Sequence, residues 1–97
     1  IGQESMARLK ELVRPVRMKI LVSLSCTMCP ELVTAAQKIA AENPNVTAEV
    51  YDLNHFPDLR DTYRVMSVPC LVINDGEQVS FGKKNVGQLL DLLHKGP

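Results

Sequence analysis

Two short stretches of this chain are apolar at nearly every position: residues 18–24 (MKILVSL) and residues 70–73 (CLVI). Runs this short and this unbroken suit strands covered on both faces. Two further stretches alternate instead. Residues 46–51 place Val46, Ala48 and Val50 on one face and Thr47, Glu49 and Tyr51 on the other. On a strand over residues 78–81, Val79 and Phe81 are expected to point inward. Continuous strands belong in the centre of a sheet and alternating ones at its edges.

Helical spacing fills the gaps between the strands. Residues 3–13 carry Met6, Leu9, Leu12 and Val13 on one face, and Pro15 stops this leading helix. Leu32, Ala35, Ala36, Ile39 and Ala40 repeat at helical spacing as far as about Glu42, where Asn43-Pro44-Asn45 ends the run. Phe56, Leu59 and Tyr63 mark another helix, with Pro57 in its first turn. Asn74-Asp75-Gly76 reads as a hairpin turn. Val86, Leu89, Leu90 and Leu93 form a closing helix that Gly96-Pro97 terminates. The order is a leading helix followed by βαβαββα. A right-handed first crossover makes the strands at 18–24 and 46–51 parallel, and the turn at 74–76 makes the last two antiparallel. The expected fold class is therefore α/β, with a four-stranded mixed sheet in the order 2-1-3-4 and helices on both faces. A chain of 97 residues allows one domain over 1–97, a leading helix in 1–15 and a core in 16–95.

Charge and cysteine usage narrow the function. Eleven Lys and Arg balance eleven Asp and Glu, so no basic stripe offers itself to a phosphate backbone and nucleic acid is not an expected partner. No apolar run approaches the ~18 residues of a membrane span, so no membrane contact is expected. Three cysteines are too few, and odd in number, for a secreted disulfide framework. Two of them sit as Cys26-Thr27-Met28-Cys29, a ring too small to brace a fold, since the entropy a crosslink removes grows with loop length. Such a close pair is a working dithiol or half of a metal site. Structural zinc wants four ligands and no second CxxC is present, so no metal is expected.

The CxxC at the end of the first strand, Cys26-Thr27-Met28-Cys29-Pro30, together with Ser67-Val68-Pro69 before the third strand and this element order, resembles the thioredoxin/glutaredoxin superfamily. The resemblance spans roughly residues 16–93. The wording around Leu24-Ser25 and the later Val65-Met66-Ser67-Val68-Pro69 is most similar to the redox-active N-terminal domain of the flavin-dependent alkyl hydroperoxide reductases known as AhpF. The leading helix and a start at Ile1 rather than Met suit a unit excised from a larger redox protein. The resemblance implies a cis peptide bond before Pro69, and a Val68 that offers its N–H and C=O to an extended substrate chain. It implies a cytoplasmic thiol–disulfide oxidoreductase. Electrons would come from a flavoprotein disulfide reductase module, in the same parent chain or another, and pass to a disulfide acceptor such as a peroxiredoxin. FAD and NAD(P)H are expected only in that partner module, because this chain holds no Gly-rich dinucleotide fingerprint; its own redox group is the Cys26–Cys29 pair.

The residues supply their own chemistry beside the resemblance. Pro30 lacks an N–H and belongs in a first helical turn, which sets the helix start near Cys26 or Thr27. Orphan N–H groups and the positive end of the helix dipole then favour a thiolate at Cys26. Cys29, one turn in, is expected to be the more buried, so Cys26 attacks and Cys29 resolves. Cys29 also precedes a proline, which predicts a distorted first turn. Thr27 and Met28 between the cysteines are candidate partner contacts. The chain departs from the thioredoxin wording: Ile20 stands where thioredoxins keep a buried Asp, and Glu31 is an anion close to the pair. Cys70 is expected to be a small core residue, His55 a solvated loop residue, and His94 a group suited to the C-terminal dipole of the closing helix. Two rival readings stay in view. A stand-alone glutaredoxin is disfavoured by the reduced Phe81-Gly82 element, and a soft-metal carrier by the element order.

Overall fold

In the computed structural model, which describes residues 3–23, 25–26 and 29–95, the leading helix α1 covers Gln3–Lys10 and is shorter than the periodicity predicts. Leu9 and Leu12 are buried as expected, but Val13 is 75% exposed. The chain has left the helix by then, and the helical period no longer aims that side chain at the core. The carbonyls at the end of a helix lack intrahelical partners. Here the Leu9 carbonyl accepts the Leu12 N–H at 3.1 Å, and the buried Asn43 Nδ2 donates to it at 2.8 Å and to the Leu12 carbonyl at 3.1 Å. The Asn43 Oδ1 accepts the Asn45 N–H at 2.8 Å.

Strand β1 covers Val16–Val22, earlier than the apolar run at 18–24 suggests. The Val16 N–H donates to the Asn45 carbonyl at 2.8 Å, so pairing begins as soon as Pro15 is passed. β1 runs parallel to β2 (Val46–Asp52), in register from Val16↔Val46 to Val22↔Asp52. It is antiparallel to β3 (Cys70–Ile73), with Leu21 opposite Cys70, and β3 is antiparallel to β4 (Gln78–Phe81). The sheet order is β2-β1-β3-β4, the 2-1-3-4 arrangement expected. The connection from β3 to β4 is a tight turn over Asn74–Gly76, with Asn74 and Asp75 at φ 50° and 59°. Asn and Asp tolerate this left-handed region. The turn is tied to β1 by Asp75, whose carboxylate pairs with Arg17 at 3.1 Å and Lys19 at 3.1 Å.

Helices α2 (Cys29–Glu42) and α4 (Val86–Lys95) pack with α1 on one face of the sheet. The core there contains Met18, Ile20, Leu32, Ile39, Leu71, Leu89 and Leu90. Asn85 and Gln88 cap α4 reciprocally, through bonds of 2.8 and 3.0 Å. Arg8 pairs with Asp91, and His94 Nε2 bonds the Arg8 carbonyl at 2.8 Å. His94 thus clasps α4 to α1 rather than merely ending a helix. Gly96 and Pro97, expected to terminate α4, lie outside the described residues.

The opposite face is covered more thinly, by α3 (Asp58–Thr62) and the segments around it, over Leu21, Leu53, Val65, Cys70 and Val72. Pro57 precedes α3 rather than sitting inside its first turn. Phe56 stays half-exposed, edge-on to Tyr51 with ring centroids 5.3 Å apart. The inward placement expected for Val79 and Phe81 is corrected here, as both are more than a third exposed. Their ladder partners are Val72 and Cys70, so they belong to the thin face. Gln78 and Ser80, opposite Ile73 and Leu71, turn toward the thick side, where Gln78 Nε2 donates to the Leu92 carbonyl of α4 at 3.4 Å.

Candidate active site

β1 delivers the chain to the first cysteine. After Val22 a turn closes as the Cys26 N–H donates to the Ser23 carbonyl at 3.1 Å. Cys26 is joined to Cys29 by a disulfide, with the two Cα atoms 5.6 Å apart. Cys29 is the first described residue of α2; Cys26 itself is not helical, and the expected start at Thr27 lies outside the described residues. Pro30 is tolerated in an opening turn, where its missing N–H has no partner to lose. The disulfide lies at the positive end of α2. Leu32, Ala35, Ala36 and Ile39 anchor that helix in the core. The two sulfurs differ in access as expected. Cys26 is half-buried, whereas Cys29 is 4% exposed. Leu24, Thr27 and Met28 lie outside the described residues, and so do the partner contacts expected of Thr27 and Met28.

The Val68–Pro69 peptide bond is cis. Antiparallel pairing of Leu21 with Cys70 carries Pro69 to the end of β1, beside the segment that leads to Cys26. Pro69 is fully buried and Val68 half-buried. The Pro69 carbonyl accepts the Gly82 N–H at 3.0 Å, which binds the exit of β4 to this shoulder. Among the described residues, the Val68 N–H and C=O have no backbone partner. Gly82 turns there with φ +96°, a conformation that side chains rarely adopt.

The other sequence candidates fall into place around this edge. The end of β2 is held by the Leu53 N–H donating to the Val22 carbonyl at 2.9 Å, which brings the following loop to the same side as the disulfide. His55 in that loop is solvent-exposed and faces Asp52 at 4.0 Å. Ile20 is fully buried among apolar side chains, so its position offers no carboxylate to the dithiol. Glu31 is exposed on the first turn of α2. Cys70 is fully buried, packed with Leu21, Leu53, Val65 and Val72. Burial pushes its thiol up to about 11, opposed by the charge of Lys84.

Two residues of this edge were missed from sequence. Met66 is 87% exposed just ahead of the proline. Lys84 is partly buried, and its Nζ donates to the Phe81 carbonyl at 3.1 Å and the Gly82 carbonyl at 3.4 Å. Desolvation pulls the Lys84 pKa down. A lysine after a glycine at a strand end carries no periodic signal, and only the fold gives it meaning. Among the described residues, no cluster of three or more His, Cys, Asp or Glu gathers as a metal would need, and no helix is long and apolar enough to cross a membrane.

Comparison with known proteins agrees with this geometry. Residues 16–94 match the thioredoxin domain family. The AhpF protein of the alkyl hydroperoxide reductase of Pseudomonas aeruginosa is 35% identical over 74 residues, which cover 76% of this chain but 14% of that protein. The crystal structure of the NTD_N/C domain of alkylhydroperoxide reductase AhpF from Enterococcus faecalis superposes with a TM-score of 0.88 at 36% identity, covering 96% of this chain and 44% of that one. A protein disulfide oxidoreductase from Aeropyrum pernix K1 superposes at 0.81 with 31% identity, covering 94% of this chain and 41% of that one. The chain thus spans about one-seventh of the curated relatives first matched, at 14% of their length. With its CxxC disulfide at the N-terminus of α2 and these relatives, the chain belongs to the thioredoxin domain family, as an oxidoreductase domain homologous to the N-terminal domain of AhpF.

Proposed function

We propose that this domain relays electrons, in a reducing cytoplasm, from a flavoprotein disulfide reductase module to a disulfide acceptor, with a peroxiredoxin as the favoured acceptor. The observation that carries the reading is the Cys26–Cys29 disulfide at the start of α2, with Cys26 half-buried and Cys29 buried. In the reduced state the Cys26 thiolate attacks one sulfur of the acceptor disulfide and expels the other as a thiolate. Cys29 then attacks Cys26 in the mixed disulfide. This releases the acceptor's second thiol and re-forms the Cys26–Cys29 bond, so two electrons have passed. Orphan N–H groups at the start of α2 favour the attacking thiolate. The N–H and C=O of Val68, without a backbone partner among the described residues, suit an extended acceptor chain laid across the site as an added strand.

Reduction returns by the same exchange, from the dithiol of a module that itself uses FAD and NAD(P)H. The test is stopped-flow reduction of the oxidised domain by the flavin module of an alkyl hydroperoxide reductase, with thioredoxin as the control substrate. Rapid reduction by that module is expected. Rapid reduction by glutathione, with the flavin module inert, would overturn the relay and install a glutaredoxin activity.

A further inference from the structure

The shoulder that receives the acceptor is held by a short chain of hydrogen bonds. The Pro69 carbonyl takes the Gly82 N–H, and the carbonyls of Phe81 and Gly82 take the Lys84 ammonium. Beside Gly82 the turn is open: among the described residues nothing lies within 4 Å of where a Cβ would stand. The hydrogen bonds on either side of it therefore help to fix its position. Lys84 leads into the capped start of α4, where a cation gains nothing from the helix dipole. It is partly buried all the same, and its ammonium is spent on two carbonyls at the end of β4.

We propose that Lys84 is a positioning residue for thiol–disulfide exchange, fastening the β4–α4 turn so that Gly82 holds Pro69 and Val68 in the geometry that accepts an extended peptide disulfide. The inference rests on the exchange reading above and adds a specificity element to it. Lys84 touches neither sulfur nor acceptor in this role. It acts through Gly82, and its loss weakens acceptor binding more than the intrinsic reactivity of Cys26.

The experiment compares two disulfides that release the same chromophore. The first is a ten-residue unstructured peptide whose single cysteine is blocked with thionitrobenzoate, and the second is Ellman's reagent itself. The chain is reduced with dithiothreitol, freed of it, and mixed in stopped flow with increasing concentrations of each. Cys26 attacks the peptide sulfur and expels thionitrobenzoate. Cys29 then displaces the peptide thiol, leaving the Cys26–Cys29 disulfide. In Lys84→Met the half-saturating concentration of the peptide disulfide is expected to rise about tenfold, the scale of one charge-assisted hydrogen bond. The rate with Ellman's reagent stays within about twofold, and Lys84→Arg restores peptide binding.

Unchanged half-saturation in Lys84→Met overturns the proposal. So does an equal loss with both disulfides, or an arginine variant as poor as the methionine one. Circular dichroism and thermal melting check that the variants fold, and Lys84→Gln takes the place of Lys84→Met should that one unfold. Failure of the unsubstituted reduced chain to react with Ellman's reagent at all would overturn the exchange reading itself.

Discussion

Cys26 and Cys29 are three positions apart and share one bond, yet they face different surroundings. Cys26 follows a turn and is half-buried, whereas Cys29 sits at 4% exposure in the first turn of α2. An incoming disulfide meets the first sulfur well before the second. Cys29→Ser should therefore accumulate a mixed disulfide through Cys26 when offered an acceptor, and Cys26→Ser should not. Non-reducing mass spectrometry reads the difference, and equal trapping by both variants would sink the assignment. Cys70 stands apart from this chemistry because its surroundings are apolar. Burial raises its pKa from the ordinary 9.0 to about 11, with Lys84 pulling the other way. The folded state thus holds the Cys70 proton more tightly than the unfolded chain does. The associated stability is whole below pH 9 and is lost as the pH climbs toward 11, where the unfolded chain ionises first. Cys70→Ala should flatten that alkaline fall in urea titrations while the dithiol still turns over. A steep fall that persists in the variant would point to another group.

At the scale of elements, the strands were legible because their burial follows the simplest rules. Met18, Ile20 and Leu21 in β1 and all four residues of β3 are buried, as continuous apolar runs require. The Cys26–Cys29 pair was legible because its spacing carries the chemistry directly, whereas the cis Val68–Pro69 bond was expected only from the resemblance to the thioredoxin/glutaredoxin superfamily. What the sequence hid depends on cover supplied from elsewhere. Val79 and Phe81 alternate correctly, but the helix that β4 receives, α4, lies on the Gln78 side, a choice made by a remote element. The attachment of α1 is hidden in the same way. Asn43 reads as a helix terminator, yet its side chain reaches back across more than thirty residues to the carbonyls of Leu9 and Leu12. Replacing it removes both bonds, while the Leu9 carbonyl keeps the Leu12 N–H and the Leu12 carbonyl keeps Asn45 Nδ2, so the cost is about 1–2 kcal/mol. Asn43→Ala should lower the urea midpoint accordingly and speed amide exchange in α1 first. It should leave the reactivity of Cys26 alone, because α1 packs on α4 and is held by Asn43 past the C-terminus of α2, remote from Cys29. Coupled loss of Cys26 reactivity would mean that α1 supports the site.

For the whole molecule, the decisive quantity is how often the disulfide meets its reductant. Eleven positive and eleven negative side chains leave no net charge, so long-range steering contributes little to an encounter between separate modules. Unsteered protein encounters run at about 10⁵–10⁶ M⁻¹s⁻¹, so a partner at about 1 μM arrives no faster than about once per second. A short flexible tether raises the effective concentration to about the millimolar range, and the same encounter then recurs about 10²–10³ times per second. Under the proposed relay, attachment to the reductase module would therefore be favoured; the chain covers 14% of the AhpF protein of Pseudomonas aeruginosa. The domain alone should consume no NAD(P)H. Mixed with a separate flavin module it should turn over at a rate proportional to module concentration, and with little response to salt. Fused to that module, its turnover per chain should become independent of concentration. NAD(P)H oxidation followed over a hundredfold dilution series separates the two regimes. A fused chain whose turnover per molecule still falls in proportion to dilution would show that delivery occurs between chains, and the tether would then have no part in the relay.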